Sequence, residues 1–142
     1  MIREIKHKDK LLGFIIYSDH KKDGIEFFTP SDFSQQLGYM KRDKDYVIDP
    51  HVHNPVKREV VWTQEVLFIK SGKIRVDFYD EFKNYLNSTI LNKGDVILLA
   101  AGGHGFQMLE ESEIIEVKQG PYSGDKDKTR FDPIDNSKIR IE

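Results

Sequence analysis

Turn signals recur along this chain at short intervals, and they limit what it can fold into. Asp23-Gly24, Ser71-Gly72, Lys93-Gly94, Gly102-Gly103 and Gln119-Gly120-Pro121 punctuate runs rich in Val, Ile, Phe and Tyr. From Lys73 to Asp80, Ile74, Val76 and Phe78 alternate with Arg75, Asp77 and Tyr79. Residues two apart on a strand share a face, so this is the signature of a half-buried strand. Short β-type runs bounded by turns predict an antiparallel all-β sandwich or barrel. The expected strands cover 11–17, 25–28, 37–42, 46–52, 60–70, 73–80, 86–91, 96–100, 105–109 and 114–118. Helix is expected only as short turns, one of them over 29–36 with Pro30 near its start.

A length of 142 residues predicts one domain, 1–142, large enough to bury a core without covalent staples. Cysteine is absent, which removes a disulfide framework and thiolate chemistry. The 22 basic and 24 acidic residues leave a net charge of −2, and no basic excess points to nucleic acid. No apolar run approaches membrane-spanning length. The stretch Met1 to Lys10 is charged and has no apolar signal core, so a cytoplasmic protein is expected.

The residues that carry chemistry are few. His51 and His53 stand as His-x-His within Asp49-Pro-His-Val-His-Asn54. On a strand both imidazoles would reach one point from the same face. Glu65 precedes the turn residue Gly72, with six residues between them. His104 lies in the glycine-flanked run Ala100-Ala-Gly-Gly-His-Gly-Phe106. Together His51, His53, Glu65 and His104 make a nitrogen–oxygen donor set for one divalent transition metal: Fe, Mn, Ni, Co or Zn. Glu65 can equally be a solvated strand residue, and its neighbour Gln64 competes for the role only if the register slips.

This arrangement resembles the cupins. In their first motif a His-x-His is followed by a glutamate and then a glycine, the places held here by His51, His53, Glu65 and Gly72. Their second motif runs from a glycine to a histidine, matched here by Gly94 through His104. The chain departs from the pattern in four ways, one being that His104 comes one residue early in the second motif. Eleven residues separate His53 from Glu65, where the family has a short gap. Ala100 replaces a proline, and Met108 stands where an asparagine is usual. The resemblance covers roughly residues 47 to 122, with 1–46 as additional N-terminal strands and 123–142 as a polar tail. The segment Ile115 to Tyr122, with Asp125 and Lys128 beyond it, is similar to the tail of small cupin-fold metalloproteins often encoded with bacterial surface-polysaccharide genes. The resemblance implies a double-stranded β-helix (the jelly-roll barrel), a metal, a sugar-derived ligand and a homodimer.

An antiparallel barrel can hold a small ligand in its mouth. If His104 points inward, Phe106 and Met108 on the same face wall the pocket. Lys57 and Arg58, in the insertion before Trp62, would hold an anionic group of the ligand; the plainer reading is a solvated loop. Glu116 and Lys118 share a strand face and either point into the cavity or pair on the surface. His104 or Glu116 would move a proton. Arg75, Asp77 and Tyr79 read as an outer-face network rather than as catalysts. Two functions follow: a metal-dependent enzyme acting on a sugar or sugar-nucleotide derivative, as an isomerase, epimerase or Fe-dependent dioxygenase, or a non-catalytic ligand-binding or regulatory module.

Overall fold

A computed structural model describes all residues, Met1–Glu142. Ten strands form: β1 (Ile2–His7), β2 (Lys10–Ile16), β3 (Gly24–Phe27), β4 (Gly38–Lys41), β5 (Glu65–Ser71), β6 (Lys73–Tyr79), β7 (Tyr85–Asn92), β8 (Val96–Leu99), β9 (Gly103–Met108) and β10 (Glu113–Lys118). Helix is limited to single 3-10 turns at Gly124–Lys126 and Asn136–Lys138. No helix is long and apolar enough to cross a membrane.

The strands pair antiparallel into sheets ordered β1-β2-β8-β5-β10 and β7-β6-β9, with a β3-β4 hairpin apart. Alternation decides which side chains lie between the two larger sheets. Ile74, Val76 and Phe78 of β6 are fully buried and pack in one cluster with Leu67 and Ile69 of β5, Ile97 and Leu99 of β8, and Leu91 of β7. Each fully buried aliphatic of this kind contributes about 1.5–3 kcal/mol. On the far side of the five-stranded sheet, Phe14, Ile16 and Leu98 form a second cluster. It is capped by Phe28, Phe33, Leu37 and Tyr39, from the hairpin and its connection. A register shift after Ile5 leaves Leu12 as the extra residue of β2, which lets it join the inter-sheet cluster.

The molecule is an open sandwich, one of the two all-β forms expected, and not the closed barrel that the resemblance implies. No ladder joins β9, at one edge of the three-stranded sheet, to β10, at the edge of the five-stranded sheet. Two local expectations are also corrected, and a third is met only in part. Ile2–His7 forms a strand that the pattern did not flag. Over 29–36 no helix forms, only a single turn in which the Phe33 amide donates to the Pro30 carbonyl at 3.1 Å; Thr29 Oγ1 accepts from the Leu37 amide and the Gln36 side chain donates to the Pro30 and Phe33 carbonyls. The strands expected over 46–52 and 60–64 are absent, and residues 41–63 are all exposed. Pro50 and Pro55 remove ladder donors from this stretch, and Asp45 turns the chain at φ 68°.

The tail beyond β10 docks across the outer face of the three-stranded sheet. Tyr79 Oη accepts from the Ile134 amide at 3.0 Å, and Tyr85 Oη accepts from the Arg140 amide at 2.9 Å. Arg75 forks onto Asp77 at 2.7 and 3.0 Å and reaches Asn136 at 3.2 Å. The Arg75, Asp77 and Tyr79 face thus carries the tail.

Candidate functional site

Glu65 is the first residue of β5 and lies in register with Lys118 of β10 and Leu99 of β8. Alternation gives it the face of Leu67 and Ile69, towards the other sheet. His104 on β9 is paired with Phe78 of β6, whose side chain points between the sheets. The two residues therefore meet across the open end of the sandwich. His104 Nε2 lies 3.0 Å from Glu65 Oε2, with 12% of the Glu65 side chain exposed and 28% of His104. This contact holds the Glu65 carboxyl below the ordinary glutamate range, more than burial raises it; Lys128 and Lys118 add to the lowering. Glu65 is thus an ionised, largely buried acceptor at neutral pH.

The loop before His104 requires glycine. Gly102 has φ +71°, and a side chain there would meet the Tyr79 carbonyl. At Gly103 an added Cβ would lie 3.0 Å from the Phe131 ring, so its bareness lets the tail pack against this edge. Phe131 meets Tyr79 edge-on, with ring centroids 5.0 Å apart.

The pair opens into a cleft of about 940 Å³ that crosses the β9 edge. Trp62, Thr63 and Phe106 line it, together with Lys128, Arg130 and Phe131 of the tail. The His104 and Phe106 rings lie 5.4 Å apart. Thr63 Oγ1 donates to Asp127 at 2.8 Å, and Lys118 Nζ lies 3.5 Å from the other Asp127 oxygen. These contacts hold the Asp127 carboxyl below its usual range, the Thr63 hydrogen bond contributing most.

The sequence candidates divide between this cleft and the surface. His51 and His53 remain neighbours, with ring centroids 5.2 Å apart, but they lie in the exposed 41–63 segment and outside the cleft. His51 Nδ1 contacts the nearby Asp49 carbonyl at 3.0 Å. No three of the His, Asp and Glu side chains form a group able to hold a metal ion, so His51, His53, Glu65 and His104 stand as two separate pairs. Their convergence required a strand over 46–52, and no strand forms there. Lys57 and Arg58 are exposed and do not line the cleft; Arg58 touches its own neighbour's carbonyl, that of Val56, at 3.4 Å. Phe106 lines the cleft and Met108 does not. Glu116 pairs with Leu67, takes the Glu65 face and is exposed. Lys118 is half-buried beside the site, held by Asp127.

Thr63 shares the Glu65 face, as alternation along that run predicts, and Lys128 has a signal only through the tail resemblance. Asp127, Arg130 and Phe131 carry no site signal in the sequence; Asp127 falls in the Asp125-Lys-Asp-Lys128 charge run, which looks like any solvated surface stretch. The chain matches no family model, no curated protein and no solved structure.

Proposed function

We propose that the Glu65–His104 cleft is the active site of a small-molecule enzyme that moves a proton on a sugar or sugar derivative. Isomerisation or epimerisation is the reaction favoured. The observation that carries this reading is the 3.0 Å contact between an ionised, largely buried Glu65 and His104, at the mouth of a cleft large enough for a small ligand. The carboxylate orients the ring through Nε2, leaving Nδ1 as the nitrogen that takes or returns a substrate proton. Trp62, 72% exposed at the cleft lip, and Phe106 offer aromatic faces to the apolar side of a sugar ring. The test is solvent-deuterium incorporation into sugars and nucleotide sugars. Wild type should exchange a carbon-bound hydrogen, and Glu65→Gln and His104→Gln should not. Exchange that survives both substitutions would sink the reading.

The two packed antiparallel sheets support reading the fold as an opened double-stranded β-helix of the cupin type. The second functional reading, a non-catalytic cupin module, keeps the same cleft and predicts binding without turnover. A transition metal on His51, His53, Glu65 and His104 does not fit the donors as placed, so no step is drawn through one. It would require the 41–63 segment to carry its histidines to the Glu65–His104 pair. Metal uptake by wild type that His51→Ala/His53→Ala abolishes would support that movement. A homodimer is also proposed. Phe68, Ile115 and Val117 leave an apolar strip on the outer face beside the β10 edge, 38%, 53% and 60% exposed respectively. Val117→Glu should shift a dimer to monomer in light scattering, and a wild-type monomer at micromolar concentration would refute it.

A further inference from the structure

Two of the cations that line the cleft have neither an ion-pair partner in it nor an aromatic ring to rest on. Lys10 pairs with Glu81 at 2.9 Å, Arg75 with Asp77 at 2.7 Å, and Lys118 at the margin with Asp127 at 3.5 Å. Asp80 is occupied by the backbone amides of Phe82 and Asn84, at 2.9 and 2.8 Å. Lys83 lies over the Phe131 ring. Lys128 and Arg130 also line the cleft, and neither is in an ion pair or a side-chain hydrogen bond.

The segment that carries them is pinned on both sides. Before it, Asp127 is tied to Thr63 and Lys118. After it, Phe131 packs against Tyr79 and Gly103, and the Ile134 amide donates to Tyr79 Oη. Two cations are thus displayed between fixed points with their charged ends free. Anchoring the backbone reduces the ordering cost when a ligand is gripped. Arg130 supplies a planar fork suited to two oxygens of one group, and Lys128 a point charge.

We infer that Lys128 and Arg130 form an anion-recognition subsite beside the Glu65–His104 pair, taking a phosphate or carboxylate group carried by the ligand. The inference rests on reading the cleft as the ligand site, and it assigns that ligand a class: an acidic sugar derivative and not a neutral sugar. It also moves anion recognition from Lys57 and Arg58, which lie outside the cleft, to the tail.

The experiment is a calorimetric and NMR titration of the full chain with four probes: a hexose 1-phosphate, a hexuronate, the neutral hexose and inorganic phosphate. The phosphorylated sugar or the hexuronate should bind at least about tenfold more tightly than the neutral hexose, and which one does so identifies the group. Lys128→Gln/Arg130→Gln should weaken that binding by about 10- to 100-fold, the loss of one or two charge-assisted contacts. Its melting temperature should change little, because neither side chain is in an ion pair or hydrogen bond and Lys128 acts on the Glu65 carboxylate only through its charge. Lys57→Gln/Arg58→Gln should bind as wild type does. Equal affinity for neutral and acidic sugars, or a tail variant that binds like wild type, overturns the subsite. Deuterium exchange that persists in the tail variant at saturating probe, without preference for acidic sugars, would leave the Glu65–His104 reading standing while the subsite falls. Binding of inorganic phosphate that the tail variant does not weaken would place the anion elsewhere and also overturn it.

Discussion

Glu65–His104 and His51–His53 are both close pairs of polar side chains, yet the fold treats them in opposite ways. Glu65 is locked between β8 and β10, and His104 is paired to β6, so sheet register fixes where both side chains point. His51 and His53 lie in a 42–63 segment with no ladder partner, where only local contacts such as the one to Asp49 orient a ring. The first pair is therefore held in place by the whole sandwich. The second has its spacing and nothing more. Two residues can be neighbours in sequence and still lack the framework that gives a site its geometry.

The largest expected effect separates the pairs by activity. Glu65→Gln or His104→Gln should lower turnover by about 10²- to 10⁴-fold, the usual contribution of a positioned proton-transfer group. His51→Ala and His53→Ala should leave the rate within about a few-fold of wild type. Equal losses at all four positions, measured as kcat on a substrate found by deuterium exchange, would break the contrast. They would mean that the 41–63 segment closes over the cleft in solution.

What the sequence disclosed follows the same division. Period-2 alternation survives wherever a strand has one face in the core, so β2, β5, β6, β7, β8 and β10 are legible from Ile, Val and Leu placement and their turn glycines. Glu65 and His104 are legible from a different signal, six residues between Glu65 and Gly72 and the glycines that flank His104. The 46–52 stretch contains Tyr46, Val47, Ile48 and Val52, which have strand propensity, and it still forms no strand. Propensity describes a fit to a pleated neighbour, and between Pro50 and Pro55 there is none. The tail's part of the cleft was illegible for another reason. Lys128, Arg130 and Phe131 reach it through tertiary docking on Tyr79 and Gly103, and no local periodicity encodes that. Barrel closure was equally out of reach, because it depends on whether two edges distant in sequence, β9 and β10, find each other.

The next effect compares the regions by stability. Ile69→Ala empties a fully buried position between the sheets and should cost about 2–5 kcal/mol. That corresponds to a melting temperature lower by roughly 5–15 °C. Val52, 87% exposed, should tolerate alanine within about 0.5 kcal/mol. Limited trypsin digestion should agree, cutting first at Lys44, Lys57 or Arg58 while the sheets persist. A Val52→Ala cost near that of Ile69→Ala, or resistance to trypsin across 41–63, would show that the segment packs against something in solution. The apolar strip at Phe68, Ile115 and Val117 of a second copy is the surface that would then be examined first.

The smallest effect tests whether the Glu65–His104 contact is a real coupling. The Glu65 carboxyl is held below its ordinary value, chiefly by His104. A depressed folded-state value means that the unfolded chain binds the proton first as pH falls. The contact therefore contributes stability that is fully present above the unfolded value, about 4.3, and is lost as pH drops through the lower folded value. Melting temperature measured from neutral to about pH 3 should fall less steeply for Glu65→Gln than for wild type, since the variant has no carboxyl to protonate at that place. His104→Gln should flatten the same limb in part, because Lys128 and Lys118 still favour the carboxylate while burial opposes it. Parallel wild-type and Glu65→Gln curves through the acid limb would mean that the 3.0 Å approach carries no coupling, and the cleft would then lose the feature that marks it for proton transfer.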